Sequence, residues 1–353
     1  MKTDSKSRVL SAINHQKTDR VPVNSEMVEE AWRKLYQFFS TRDKEKILRE
    51  LEIDCRVIYP FYKGTTKFYR MNSKNKYIGI GGSTFSNIKN SFGSYAEVES
   101  YSLDGVRTIE EAEKRYLLPS ADEIDYETTD QYLDKCPDTF NLLGISNCFL
   151  TLTNSMKMQD LFLNFYENEE LVHSLIRKTV DNDLEIKSRI LEKSAKKIDA
   201  ILIADDFATQ RGPLISLEMF QKFFKPQLAR IITLAKNYGL KIYMHCCGSC
   251  YDFIPEFLSL GVDILDPVQT TAVNMQPEKL KKDFGDKITF HGGVDSQHIL
   301  PHGTQEDVRN NIKYLSEVLG QDGGYILASC HFVQADVPLE NILELYRTEN
   351  RYF

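Results

Sequence analysis

The sequence predicts an α/β protein in which eight parallel strands alternate with helices, the arrangement of a (β/α)8 barrel. Three observations carry this. Short apolar runs recur at intervals of roughly 20 to 40 residues, the spacing of βα units. Amphipathic stretches long enough for helices lie between most of them. No Gly-x-Gly-x-x-Gly follows the first run, which weighs against a dinucleotide fold; an open doubly wound sheet is the alternative architecture. In chain order, Arg20–Val23 and Arg56–Tyr59 are the first two strands. The stretch Thr65–Ser120, rich in Gly, Ser, Asn and Tyr, breaks the alternation and reads as a β-rich insertion after the second strand, over the barrel mouth. Six further runs follow at Phe140–Leu150, Ala200–Ala204, Lys241–Met244, Val262–Leu265, Lys287–Phe290 and Tyr325–Ala328. Leu161–Lys193, Leu217–Tyr238 and Glu306–Leu319 supply helices between them. No internal repeat, coiled coil or long low-complexity segment appears, so residues 1–353 are expected to form a single domain.

Composition narrows the function classes. Of 353 residues, 42% are hydrophobic and 27% charged, the balance of a globular enzyme. The 51 acidic residues outnumber the 44 basic ones, and no basic stripe stands out, so nucleic acid is an unexpected partner. No signal peptide and no run of the ~18 apolar residues a membrane span requires is seen. The seven cysteines are an odd number without a secretory context, which points to a reducing cytoplasm and to metal or core roles.

The most informative residues are His245-Cys246-Cys247, at the end of the run Lys241–Met244. Side chains alternate along a strand, so His245 and Cys247 share a face and Cys246 takes the other. An imidazole and a thiolate so placed suit a borderline cation, with zinc the natural candidate. Cys330 ends another run and would complete two sulfurs and one imidazole, leaving one position open as catalytic zinc sites do. Cys250, in the following loop, is a substitute ligand.

Other polar residues also close apolar runs: Asn147 and Cys148, Asp205 and Asp206, Asp266 and Gln269, His291 and Asp295, and His331. In a (β/α)8 barrel, active sites sit at the C-terminal ends of the strands. Asp205, Asp206 and His331 are the candidates for substrate positioning or proton handling. Gln269, His291 and Asn147 are expected to bind substrate. An aspartate after a strand is also an ordinary helix cap, and His291-Gly292-Gly293 could present N–H groups to an anion.

Several segments together resemble the uroporphyrinogen decarboxylase superfamily. They are Asp19-Arg20-Val21-Pro22-Val23, Asp205-Asp206-Phe207-Ala208-Thr209-Gln210, Met244-His245-Cys246-Cys247-Gly248-Ser249, Gly261–Gln269, Phe290–Asp295 and His331–Asn341. The resemblance runs from about residue 6 to about residue 346 and implies a (β/α)8 barrel. Its details favour the corrinoid-dependent methyltransferase branch, similar to methylcobamide:coenzyme M methyltransferases. The decarboxylases carry an arginine-rich run after the first strand to hold substrate carboxylates, where this chain has Asn24-Ser25-Glu26-Met27-Val28-Glu29-Glu30. Acids there would repel a polyanion. The methyltransferases' zinc ligands correspond to His245, Cys247 and Cys330. The resemblance thus implies zinc, and a corrinoid (cobalamin) carried by a partner protein. The expected activity is methyl transfer between that corrinoid and a small thiol or methylated substrate. A metal-free decarboxylase is the alternative, and a homodimer is a further expectation.

Overall fold

The computed structural model describes residues 3–351. Strand β1 (Cys55–Ile58) is followed by β2 (Lys76–Ile78), β3 (Thr84–Lys89) and β4 (Ser94–Ser100), and then by β5 (Phe140–Ser146) and β6 (Ala200–Ala204). The short β7 (Ala208–Thr209) and β8 (Gly212–Pro213) precede β9 (Lys241–His245), β10 (Ile264–Val268), β11 (Thr289–Val294) and β12 (Tyr325–Ser329). Seven strands form one curled parallel sheet, in the order β1-β5-β6-β9-β10-β11-β12, with helices between them. Between β1 and β5, strands β2, β3 and β4 pair as a separate antiparallel sheet.

The first expected strand, Arg20–Val23, makes no ladder and contributes one parallel bridge, Val23 to Leu327. Pro22 has no N–H to donate, and the Val23 N–H goes to the side chain of Asp54 at 2.9 Å. The segment still touches both edges of the sheet. Leu327 N–H donates to the Pro22 carbonyl (2.8 Å), Asn24 N–H to Leu327 (2.9 Å), and Asp54 N–H to Val23 (2.9 Å).

Two apolar layers follow from strand alternation. Leu142, Ala200, Leu202, Tyr243, Ile264 and Ile326 point to an inner cluster, where Val9 and Ile13 of the helix Ser5–Ile13 also pack. Their strand neighbours Leu143, Ile201, Ile242, Leu265 and Leu327 face the larger core under the outer helices. At the N-terminal end of β1, Asp54 is fully buried and accepts from Arg8 Nη1 (2.5 Å) and Arg20 Nη1 (3.0 Å), both buried. Two guanidinium groups and one backbone N–H thus satisfy a carboxylate that could not otherwise remain charged in the interior.

The long helical stretches are less uniform than their periodicity predicts. Leu161–Lys193 divides at Asn168 (φ −147°) into helices Met158–Glu167 and Glu169–Ser194. Leu217–Tyr238 contains a π-helical turn at Phe220–Phe224 before the helix Lys225–Asn237, which has Pro226 in its first turn. A proline there removes the N–H that a regular helix would direct to the preceding turn. The turn brings Phe220 and Phe224 against Phe207, with ring centroids 5.0 and 5.2 Å away. No helix among the described residues is long and apolar enough to cross a membrane.

Candidate metal centre and adjoining cavity

Neighbouring strands β9, β10 and β11 bring three polar side chains together, one at the end of β9 and two within β10 and β11. Alternation puts His245 on the same face as Tyr243, and β10 and β11 align Asp266 and His291 beside it. Asp266 sits where the β10–β11 register shifts, between Leu265 and Val268. Its two carboxylate oxygens meet two histidines: Oδ2 contacts His245 Nδ1, and Oδ1 lies 2.5 Å from His291 Nδ1. Occupying Nδ1 in this way turns His245 Nε2 outward as the free ligand atom. Burial alone would depress the His245 imidazolium; the Asp266 carboxylate and the Cys247 thiol outweigh it and raise the His245 pKa. Asp266 itself is penalised by burial, yet the two imidazoles hold its carboxyl well below the usual range.

Cys247 lies just beyond β9, with Sγ 3.3 Å from His245 Nε2. Its backbone N–H donates to Asp206 Oδ1 at 2.7 Å, and that oxygen is 3.9 Å from His245 Nε2. The next residue, Phe207, is fully buried in the aromatic cluster. Gly248 completes the turn with φ +84°; a Cβ there would come within 2.5 Å of the Thr209 carbonyl, so the approach of the two loops demands glycine. Gln269 Oε1 accepts the Gly248 N–H at 2.8 Å and so steadies the same turn.

His331, from the loop after β12, completes a cluster whose ligand atoms on His245, Cys247 and His331 lie within 4.8 Å of one another. Burial and the neighbouring His245 lower the His331 pKa. Cys330 does not join this cluster. It is buried, its Sγ donates to the Val268 carbonyl at 3.4 Å, and burial pushes its thiol up to about 12. Cys246 and Cys250 are fully buried in the outer core.

The other sequence candidates separate. Asp205 turns away to the helix Phe149–Ser155, accepting the N–H groups of Cys148 (2.9 Å) and Leu150 (2.8 Å). Burial pushes its carboxyl up to about 6, against those hydrogen bonds. Asp295 accepts from Gln297 and His298 N–H and organises its own turn. His291-Gly292-Gly293 lies inside β11, paired to β12, and is not a free anion loop. Asn147, bonded to Thr151, lines a different cavity.

That cavity, about 470 Å³, is walled by Tyr59, Tyr62, Tyr69, Ile80, Leu118 and Ile186, with Asn182, Asp183 and Lys187 among its polar residues. A hydrogen bond links its wall to the cleft beside the cluster. Tyr59 hydroxyl donates to Glu26 Oε1 at 3.1 Å, and Glu26 lines a narrow cleft with His245, Asp266, His291 and His331. Burial and the nearby Asp266 raise the Glu26 carboxyl pKa. In the sequence Glu26 stands out only as an acid where the decarboxylases have arginine, and Tyr59 only as the end of the second expected strand.

A parallel α/β sheet with a His/Cys cluster at the C-terminal ends of its strands defines a class of active-site architecture. The family is settled by sequence: the family model for uroporphyrinogen decarboxylase (URO-D) matches residues 4–352, and the chain belongs to that family. No curated protein matches the chain. Among solved structures, a methyltransferase from Methanosarcina mazei is similar in fold, at 18% identity and a TM-score of 0.65, covering 97% of each chain. A β-L-arabinopyranosidase from Geobacillus stearothermophilus matches at 10% identity and a TM-score of 0.39, covering 90% of this chain and 73% of that one, too distant to carry an argument.

Proposed function

We propose that the protein is a zinc-dependent methyltransferase, moving a methyl group between a corrinoid on a partner protein and a small thiol or methylated molecule. The observation that carries this reading is the cluster of His245, Cys247 and His331, with the His245 ring already oriented by Asp266. Imidazole and thiolate donors suit zinc, and the fixed Nδ1 contact is the support a metal-bound histidine needs. Zinc held there would supply a Lewis acid able to keep a coordinated thiol deprotonated at neutral pH. The chain's own groups do the rest. Asp266 holds the His245 ring in orientation, and Asp206 fixes the Cys247 backbone. The fold likeness to the Methanosarcina methyltransferase and the absence of basic residues at 24–30 support methyl transfer over binding of a polyanion.

Cys330 and His331 are adjacent, and the third protein ligand comes from this pair. In the geometry described, His331 faces the cluster; Cys330 would replace it if the loop after β12 turned. The double variant Cys330→Ala/His331→Ala is therefore expected to lose bound zinc as fully as Cys247→Ala does, and the two single variants identify the donor. Elemental analysis of protein purified without added metal reads this directly, and full zinc retention in the double variant places the third donor elsewhere.

The activity test is to mix the protein with methylcobalamin and with cob(I)alamin across a panel of thiols and methylated donors, following the cobalt spectrum. Metal-dependent interconversion is the expected result. Decarboxylation of uroporphyrinogen by metal-free protein would overturn the reading.

A further inference from the structure

We propose that the molecule whose methyl group is exchanged sits in the tyrosine-walled cavity, and that its body is uncharged, apolar and aromatic. This rests on the methyltransferase reading above and adds the substrate class.

A pair of side chains links the cavity wall to the cleft beside the cluster. Tyr59 lines the cavity and its hydroxyl is bonded to Glu26, which lines the cleft holding His245 and His331. Tyr59 and Glu26 thus stand between the cavity wall and the cleft that holds the metal-ligand candidates. The volume falls in the range of small-molecule sites. Tyr59, Tyr62 and Tyr69 line the cavity, with the Tyr62 and Tyr69 ring centroids 5.9 Å apart and tilted by 56°. Ile80, Leu118, Ile124 and Ile186 provide apolar surface. Such walls favour a flat apolar body through burial and ring–ring contact.

The cavity's own charges disfavour an anion. Among the described residues lining the cavity, Lys187 is the only lysine, arginine or histidine. It is buried and paired with Asp183 Oδ1, while Asp183 Oδ2 accepts from Ser146 Oγ at 2.7 Å. A carboxylate or sulfonate entering the cavity would compete with Asp183 for that cation, or remain buried and unpaired beside Glu26 and Asp183. The remaining polar groups are partly engaged as well: Asn182 Nδ2 donates to the Pro119 carbonyl (2.7 Å), and Thr179 meets the Tyr116 hydroxyl (2.6 Å). They can orient a neutral polar substituent but cannot neutralise a charge.

The test uses the full-length, zinc-loaded protein without corrinoid and two matched probes, benzyl mercaptan and 4-(mercaptomethyl)benzoate, in isothermal titration calorimetry. The neutral thiol is expected to bind at least tenfold more tightly. Tyr62→Ala, or Ile186→Phe as a cavity-filling second variant, should weaken the neutral thiol several-fold with zinc content unchanged. Equal or tighter binding of the carboxylate overturns the proposal, as does a neutral preference that neither variant alters. Assaying methylcobalamin turnover separately keeps the two ideas apart. Binding selectivity without turnover faults the methyltransferase reading, and turnover with an anionic preference faults the substrate class.

Discussion

Cys247→Ser is expected to strip the metal and abolish methyl transfer, whereas Cys246→Ser, the same chemical change one residue earlier, retains both. Cys247 Sγ stands 3.3 Å from His245 Nε2 within the candidate ligand cluster, while Cys246 is fully buried in the outer core. Loss of a thiolate ligand should exceed the roughly 10- to 100-fold effect typical of removing a metal's outer partners. At Cys246, a hydroxyl replaces a thiol in an apolar setting, destabilising the fold by about 1–3 kcal/mol without touching the metal. Zinc content, methyl transfer and urea midpoints of the two variants, measured side by side, check this. Zinc retained in Cys247→Ser and lost in Cys246→Ser would invert the assigned faces and remove His245 from the site as well.

The second large effect is one of stability. Asp54→Ala should lower the unfolding free energy by about 3–5 kcal/mol, the range for removing one partner of a buried ion pair. Asp54 is the shared acceptor for Arg8 and Arg20 and also takes the Val23 N–H, so its loss leaves two buried guanidinium groups short of a counter-charge. Arg8 keeps Asp19 at 2.6 Å as a second partner; Arg20 has Glu52 only at 3.9 Å. Arg20→Met should therefore be much milder than Asp54→Ala, because it removes a charge instead of stranding one. Chemical denaturation followed by circular dichroism measures both. An Asp54→Ala loss below about 1 kcal/mol would mean the network relaxes onto water.

Periodicity located the sheet strands and the face on which His245 lies, because alternation along β9 is a local property of the chain. The first expected strand became a single bridge because Pro22 and the Asp54 side chain remove its donors. Local rules also stop at a strand's last residue. β12 ends at Ser329, so the directions of Cys330 and His331 are set by the loop and by contacts with Val268 and His245. Asp205 is a helix cap, as an aspartate after a strand often is, but for the helix of the preceding βα unit, a relation only packing reveals. Asp266 was visible as a polar residue at a strand end. That it joins two histidines depends on the register of three strands.

Glu26 shows how closely the two halves of the site are tied. Its carbonyl accepts the Val333 N–H at 2.9 Å, two residues past His331, and its side chain accepts from Tyr59 on the cavity wall. One residue is therefore anchored to the segment that presents a metal-cluster histidine and to the ring that borders the substrate cavity. Perturbations on the two sides should consequently be non-additive. In a double-mutant cycle between Tyr59→Phe and His331→Ala, the combined change in ligand affinity should differ from the sum of the single changes. The same cycle run on Glu26→Ala should lose most of that coupling energy, since the link then lacks its acceptor.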